Sequence, residues 1–72
     1  MNWDQISAEW MDIKGKARVE WAKLTDDELA RVRGNREQLQ AAVQKRYGIA
    51  KEEAQRQVDE WAQKLKRLIE PK

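Results

Sequence analysis

Trp21-Ala22-Lys23-Leu24-Thr25-Asp26-Asp27-Glu28-Leu29 is the stretch whose reading decides the fold. One helix ends in it with an aromatic residue and a leucine, and the next begins at once. Thr25 and Glu28 have the spacing of a capping box. The threonine hydroxyl accepts from the third backbone N–H of the new helix, and the glutamate reaches back to the N–H of Thr25. Asp26 and Asp27 place negative charge in the first turn, where the helix dipole favours it. Trp21 and Leu24 are positioned to fold over the junction and fix the angle between the two helices.

Toward the N-terminus, Trp3, Ile6, Trp10, Ile13, Ala17, Trp21 and Leu24 follow one another at intervals of three or four. That spacing predicts one long amphipathic helix with a single buried stripe. Asn2 or Asp4 is placed to cap its start. Glu9, Asp12, Lys16, Glu20 and Lys23 alternate in sign along another face, which reads as solvated. A weaker stripe of Ala8, Met11, Gly15, Val19 and Ala22 lies well round from the first. Scattered surface apolar residues are normal. The sharper reading is a seat over Gly15 for another helix, of this chain or of a partner.

Toward the C-terminus, Leu29 and Val32 face the core of a short second helix that stops at Gly34. Gly34-Asn35 is a turn signal, and Asn35 is placed to cap a third helix with Leu39, Ala42, Val43 and Tyr47 inward. Tyr47-Gly48 ends that helix. A fourth begins near Ala50 or Lys51 and points Ala54, Val58, Trp61, Leu65 and Leu68 inward, with Glu52, Arg56, Glu60 and Lys64 as an alternating outer row. Pro71 closes the chain. The connections are short, so consecutive helices pack as neighbours. The expectation is an all-α, four-helix domain covering residues 1–72, with Trp10 and Trp61 buried close together.

Composition narrows the function. A chain of 72 residues is near the lower limit for a self-sufficient core, and its four tryptophans are the unusual resource. At helical spacing on the inner stripe they read as packing rather than as platforms for stacked bases. With 40% apolar and 39% charged residues the chain reads as a soluble, very polar helical domain. No cysteine and no histidine occur, which removes thiolate chemistry and the commonest neutral-pH acid–base group and metal ligand. The N-terminus lacks the apolar run of a signal peptide, and no stretch is apolar enough to span a bilayer; a cytoplasmic protein is expected.

The remaining groups offer no catalytic arrangement. The hydroxyls are Ser7, Thr25 and Tyr47, without a histidine to activate them. The carboxylate pairs Asp26-Asp27-Glu28, Glu52-Glu53 and Asp59-Glu60 lie in first helical turns or on charged faces, where capping and ion pairing account for them. No glycine-rich phosphate loop or calcium loop is present. The one candidate site is the turn around Gly34, where Arg31, Arg33 and Arg36 surround Asn35 at the start of the third helix. Helix N-termini and guanidinium groups suit anions, so a phosphate or nucleic-acid contact stands beside the ordinary reading of a solvated turn. A net charge of +2 with both signs interleaved is weak support for a binder driven by counterion release.

Taken together, Asn2-Trp3, Trp10, Lys14-Gly15-Lys16, Trp21 with Lys23 through Leu29, Gly34 with Arg36 and Leu39, Tyr47-Gly48, Ala54, Val58 and Trp61 resemble the CsbD-like family of small bacterial proteins. The most specific part is the Lys-Gly-Lys block followed by Trp-x-Lys-Leu-Thr-Asp-Asp. Ala22 departs from the glycine usual before Lys-Leu-Thr, and Ala50 from the polar residue that often caps the last helix; both concern helix geometry. The resemblance implies two helical hairpins packed crosswise, in the manner of SAM-like domains, and abundance in general stress or stationary phase. It brings no catalytic, cofactor or metal residues. The function expected is therefore non-enzymatic, through contact with a protein partner or through abundance, as a monomer or weak homodimer. The alternative is a nucleic-acid-associated module using Arg31, Arg33, Asn35 and Arg36.

Overall fold

A computed structural model describes residues 2–69, with side chains through residue 67. The inward placement of Leu68 and the role of Pro71 lie outside what it describes. The described chain is helical and contains no strand: α1 Trp3–Ala8, α2 Trp10–Glu20, α3 Asp26–Val32, α4 Arg36–Tyr47 and α5 Lys51–Ile69. Each helix packs on the next in sequence. The radius of gyration, 11.3 Å, equals the ~11 Å expected of a folded chain this long.

Among the described residues five helices stand where the spacing predicted four. The predicted Trp3–Leu24 helix bends at Glu9 (φ −109°, ψ 21°), which ends α1 and starts α2. Apolar spacing continues through the bend because both helices face the same core, so the pattern carries no mark of it. The bend has a physical reason. α1 leans on the α3–α4 turn, where the Ser7 hydroxyl donates to the Arg33 carbonyl at 3.0 Å. Beyond the bend, Trp10 turns its indole N–H to the Leu29 carbonyl at 2.6 Å. That carbonyl lies in the last turn of α3, whose carbonyls have no partner one turn on. α2 also stops early, at Glu20, because Trp21 and Leu24 both turn inward; the Leu24 N–H donates to the Trp21 carbonyl at 3.0 Å.

The caps are as the sequence dictates. Thr25 Oγ1 accepts from the Glu28 N–H at 3.1 Å while Glu28 Oε1 accepts from the Thr25 N–H at 3.0 Å. Asn2, rather than Asp4, caps α1, and Gln5 completes a second capping box there. Asn35 caps α4 through the Gln38 N–H, and Gly48 closes α4 in the left-handed region.

The core is the inner stripe; of its expected members among the described residues, Trp3, Ala42 and Tyr47 are partly buried at its margin and the others are inside. Ile6, Trp10, Ile13, Ala17, Trp21 and Leu24 meet Leu29, Val32, Leu39, Val43, Ala54, Val58, Trp61 and Leu65, with Trp3 at the margin. Trp61 is its centre. The ring centroids of Trp3, Trp10 and Trp21 lie 6.4, 6.3 and 5.2 Å from it, tilted or edge-on, as aromatic quadrupoles prefer. The Trp21 indole N–H donates to Gln57 Oε1 at 3.0 Å, so a polar residue beside the inner stripe of α5 completes the core.

Candidate interaction surface

The turn between α3 and α4 holds the residues singled out in the sequence. Arg33 is in the left-handed conformation (φ 54°), Gly34 follows at φ 74°, and Asn35 begins α4. Gly34 is buried against α1, closely enough that its backbone nearly touches that of Ser7. α1 therefore divides the surface here into shallow depressions that share Ser7. One of about 480 Å³ is lined by Arg31, Arg33, Asn35 and Gln38. A second of about 270 Å³ is lined by Trp3, Asp4, Asn35, Arg36 and Glu37. A third of about 390 Å³, between α2 and α3, is lined by Trp10, Met11, Lys14, Ala30 and Arg33.

The four candidate residues thus do not converge on one point. Arg31, Arg33 and Asn35 share one depression, whereas Arg36 is turned to α5. Its guanidinium forks onto Asp59, Nε to Oδ1 at 3.0 Å and Nη2 to Oδ2 at 2.9 Å. Asn35 has its side-chain oxygen on the Gln38 N–H at 3.0 Å. Arg31 and Arg33 are exposed and form no ion pair with another described residue. Ser7, Met11 and Lys14 were missed as neighbours of this turn. They lie 26, 22 and 19 residues before Arg33 in sequence, and the packing of α1 and α2 against the turn brings them to it. Met11 alone gave a signal, as a member of the second stripe.

That second stripe faces out. Ala8, Met11, Gly15, Val19 and Ala22 are all exposed, with Met11 at 78% and Val19 at 85%, and a methyl group added at Gly15 meets nothing within 4 Å. Among the described residues no helix covers Gly15, so the intrachain form of that expectation is corrected.

Other polar groups are engaged in the fold. Tyr47 Oη accepts from the Lys23 N–H at 3.2 Å, with the Lys23 ammonium 5.2 Å above its ring. Glu28, besides capping α3, takes Arg46 Nε at 2.9 Å; that guanidinium first, then the Thr25 N–H, holds its carboxyl below the ordinary 4.5. Glu53 is lowered too, by Arg56 first and by Gln57 second. The alternating rows are partly redirected: Arg56 pairs with Glu53 and Glu60, while Lys64 leaves its row for Glu20 of α2 at 2.9 Å. Among the described residues no group of three or more acidic side chains is arranged to hold a metal, and no helix is long and apolar enough to cross a membrane.

The comparisons with known proteins give the family of the chain. The model of the CsbD-like family matches residues 4–56. A UPF0337 protein of Pectobacterium atrosepticum is 49% identical over 61 residues, which cover 85% of this chain and 88% of that one. A UPF0337 protein of Nitrosomonas europaea is 42% identical over 71 residues, covering 99% and 76%. The UPF0337 protein YjbJ of Escherichia coli K12 is 41% identical over 61 residues, covering 85% and 88%. No solved structure matches the chain.

Proposed function

Because the chain belongs to the CsbD-like family, we propose that it is a cytoplasmic, general-stress-associated protein that works without catalysis, through contact with another protein or through abundance. The same reading takes the helices as two hairpins packed crosswise, the SAM-like arrangement the family resemblance implies. The observation that carries the contact reading is the outer face of α2, where Met11 and Val19 stand exposed two turns apart. Large apolar side chains held in water on one helix face suit a protein surface. The test is crosslinking in stressed cells, comparing the parent with Met11→Ser and Val19→Ser. Contact through this face requires crosslinked species that both variants lose while their melts match the parent. Unchanged crosslinks in folded variants overturn it.

A second reading, a nucleic-acid-associated module, is favoured by Arg31 and Arg33 sharing one depression without a carboxylate in its lining. Arg36, held by Asp59, weakens it. Counterion release then demands affinity that falls steeply between low and physiological salt and that Arg31→Ala with Arg33→Ala reduces. Absence of binding to duplex DNA or RNA at low salt removes this reading.

A further inference from the structure

The groove between α2 and α3 differs from the rest of this charge-balanced surface. Its lining is apolar at Trp10, Met11 and Ala30 and carries the cations Lys14 and Arg33. The adjoining depression shares Ser7 and Arg33 and adds Arg31. In a chain of 15 basic and 13 acidic residues, these two depressions together are lined by three cations and no carboxylate. Arg18, Arg36, Arg46, Arg56 and Lys64 are each paired with an acid, whereas Lys14, Arg31 and Arg33, like Lys16, Lys23, Lys45 and Lys51, pair with no described residue; what sets the three apart is that they line adjoining depressions.

Arg33 carries the second observation. It occupies a left-handed backbone position (φ 54°), where asparagine or glycine is at less cost and where an arginine is uncommon. The Ser7 hydroxyl on its carbonyl and the close approach of Gly34 to α1 hold that turn in place. The side chain so displayed lines both depressions.

We propose that this groove is the docking seat for an acidic amphipathic helix of a protein partner, with an apolar side chain on Met11 and Ala30 and carboxylates beside Lys14, Arg33 and Arg31. The inference deepens the contact reading above and rests on it. An apolar lining beside cations fits an apolar anchor flanked by acids, the helix-in-groove mode of recognition. Methionine, flexible and polarisable, suits such a seat. The surrounding cations supply orientation and steering more than affinity.

The probe is a synthetic helical peptide with leucines at i, i+3, i+4 and i+7 and glutamates between them. Controls carry lysine for glutamate, or serine for leucine. Amide and indole resonances of the ¹⁵N-labelled protein are followed during titration. The acidic leucine peptide alone shifts the Trp10 indole and the amides of Met11, Lys14, Ala30 and Arg33. Lys14→Gln and Arg33→Asn each weaken it roughly two- to fivefold, the range of an exposed ion pair. Arg33→Asn also keeps or raises the melting midpoint, since asparagine tolerates the left-handed backbone, whereas a purely structural arginine would lower it.

Equal binding of the lysine peptide, shifts mapped away from the groove, or no shifts at all overturn the proposal. So does duplex DNA moving these resonances where the peptide does not. Crosslinking separates this failure from failure of the contact reading, because Val19 lies outside the groove lining. Crosslinks lost in Val19→Ser but kept in Arg33→Asn overturn the groove and leave contact standing. Crosslinks kept in both overturn the two together.

Discussion

A methyl group added at Gly34 would sit 2.5 Å from Ser7 Cα and 2.9 Å from Ser7 N, both backbone atoms of α1, and would hold a φ of 74°. Gly48 has a similar φ of 61° but open space around it. The two glycines therefore separate backbone strain from close approach. Gly48→Ala should cost about 1–2 kcal/mol, the left-handed penalty alone. Gly34→Ala should cost clearly more, because α1 must move off the turn and the Ser7–Arg33 hydrogen bond goes with it. Urea melts of the pair check this, and equal midpoints would show that α1 does not rest on Gly34. The sequence marked Gly34 as a turn, which it is. That α1 lies against it was not legible, because nothing in a local pattern says which distant backbone will arrive.

At the scale of the helix, Thr25 and Glu28 form a unit with Arg46. Thr25→Ala should lower stability by roughly 1 kcal/mol, within about 0.5–2, and Thr25→Ser should be nearly neutral because the accepting oxygen remains. Glu28 adds a pH dependence whose sign follows from its lowered carboxyl. The folded state binds this proton less readily than the unfolded chain, so the stabilisation is complete above 4.5 and is lost as pH falls through the lower folded value. Glu28→Gln should be less stable at neutral pH and should lose less than the parent on acidification below 4.5. Glu53, lowered by Arg56 and Gln57, keeps the remaining slope present in both proteins. Melts at pH 7 and at stepwise lower pH measure it. Elements of this kind were the legible part: Thr25–Glu28, Asn35 and Gly48 are local devices, and local chemistry writes them in the chain. The bend at Glu9 was not, since Ile6, Trp10 and Ile13 keep helical spacing across it. The turn arginines were legible as a cluster, but Arg36's partner Asp59 lies on another helix.

For the whole molecule, the four tryptophans decide what the surface is left to do. Three indoles gather on Trp61, and two of their N–H groups are taken by Leu29 and Gln57. Trp10, Trp21 and Trp61 are thereby committed to the core, and the contact proposed above is left to α2 and to the groove beside it. The central claim is that Trp61 organises this core. Its direct test is equilibrium urea unfolding of Trp61→Ala, followed by circular dichroism. Removing a large aromatic from such a position costs about 3–5 kcal/mol, a large share of the stability of a domain this small. The expected result is loss of the cooperative transition, or a midpoint moved far toward zero denaturant. A transition nearly superimposable on the parent's would contradict the account.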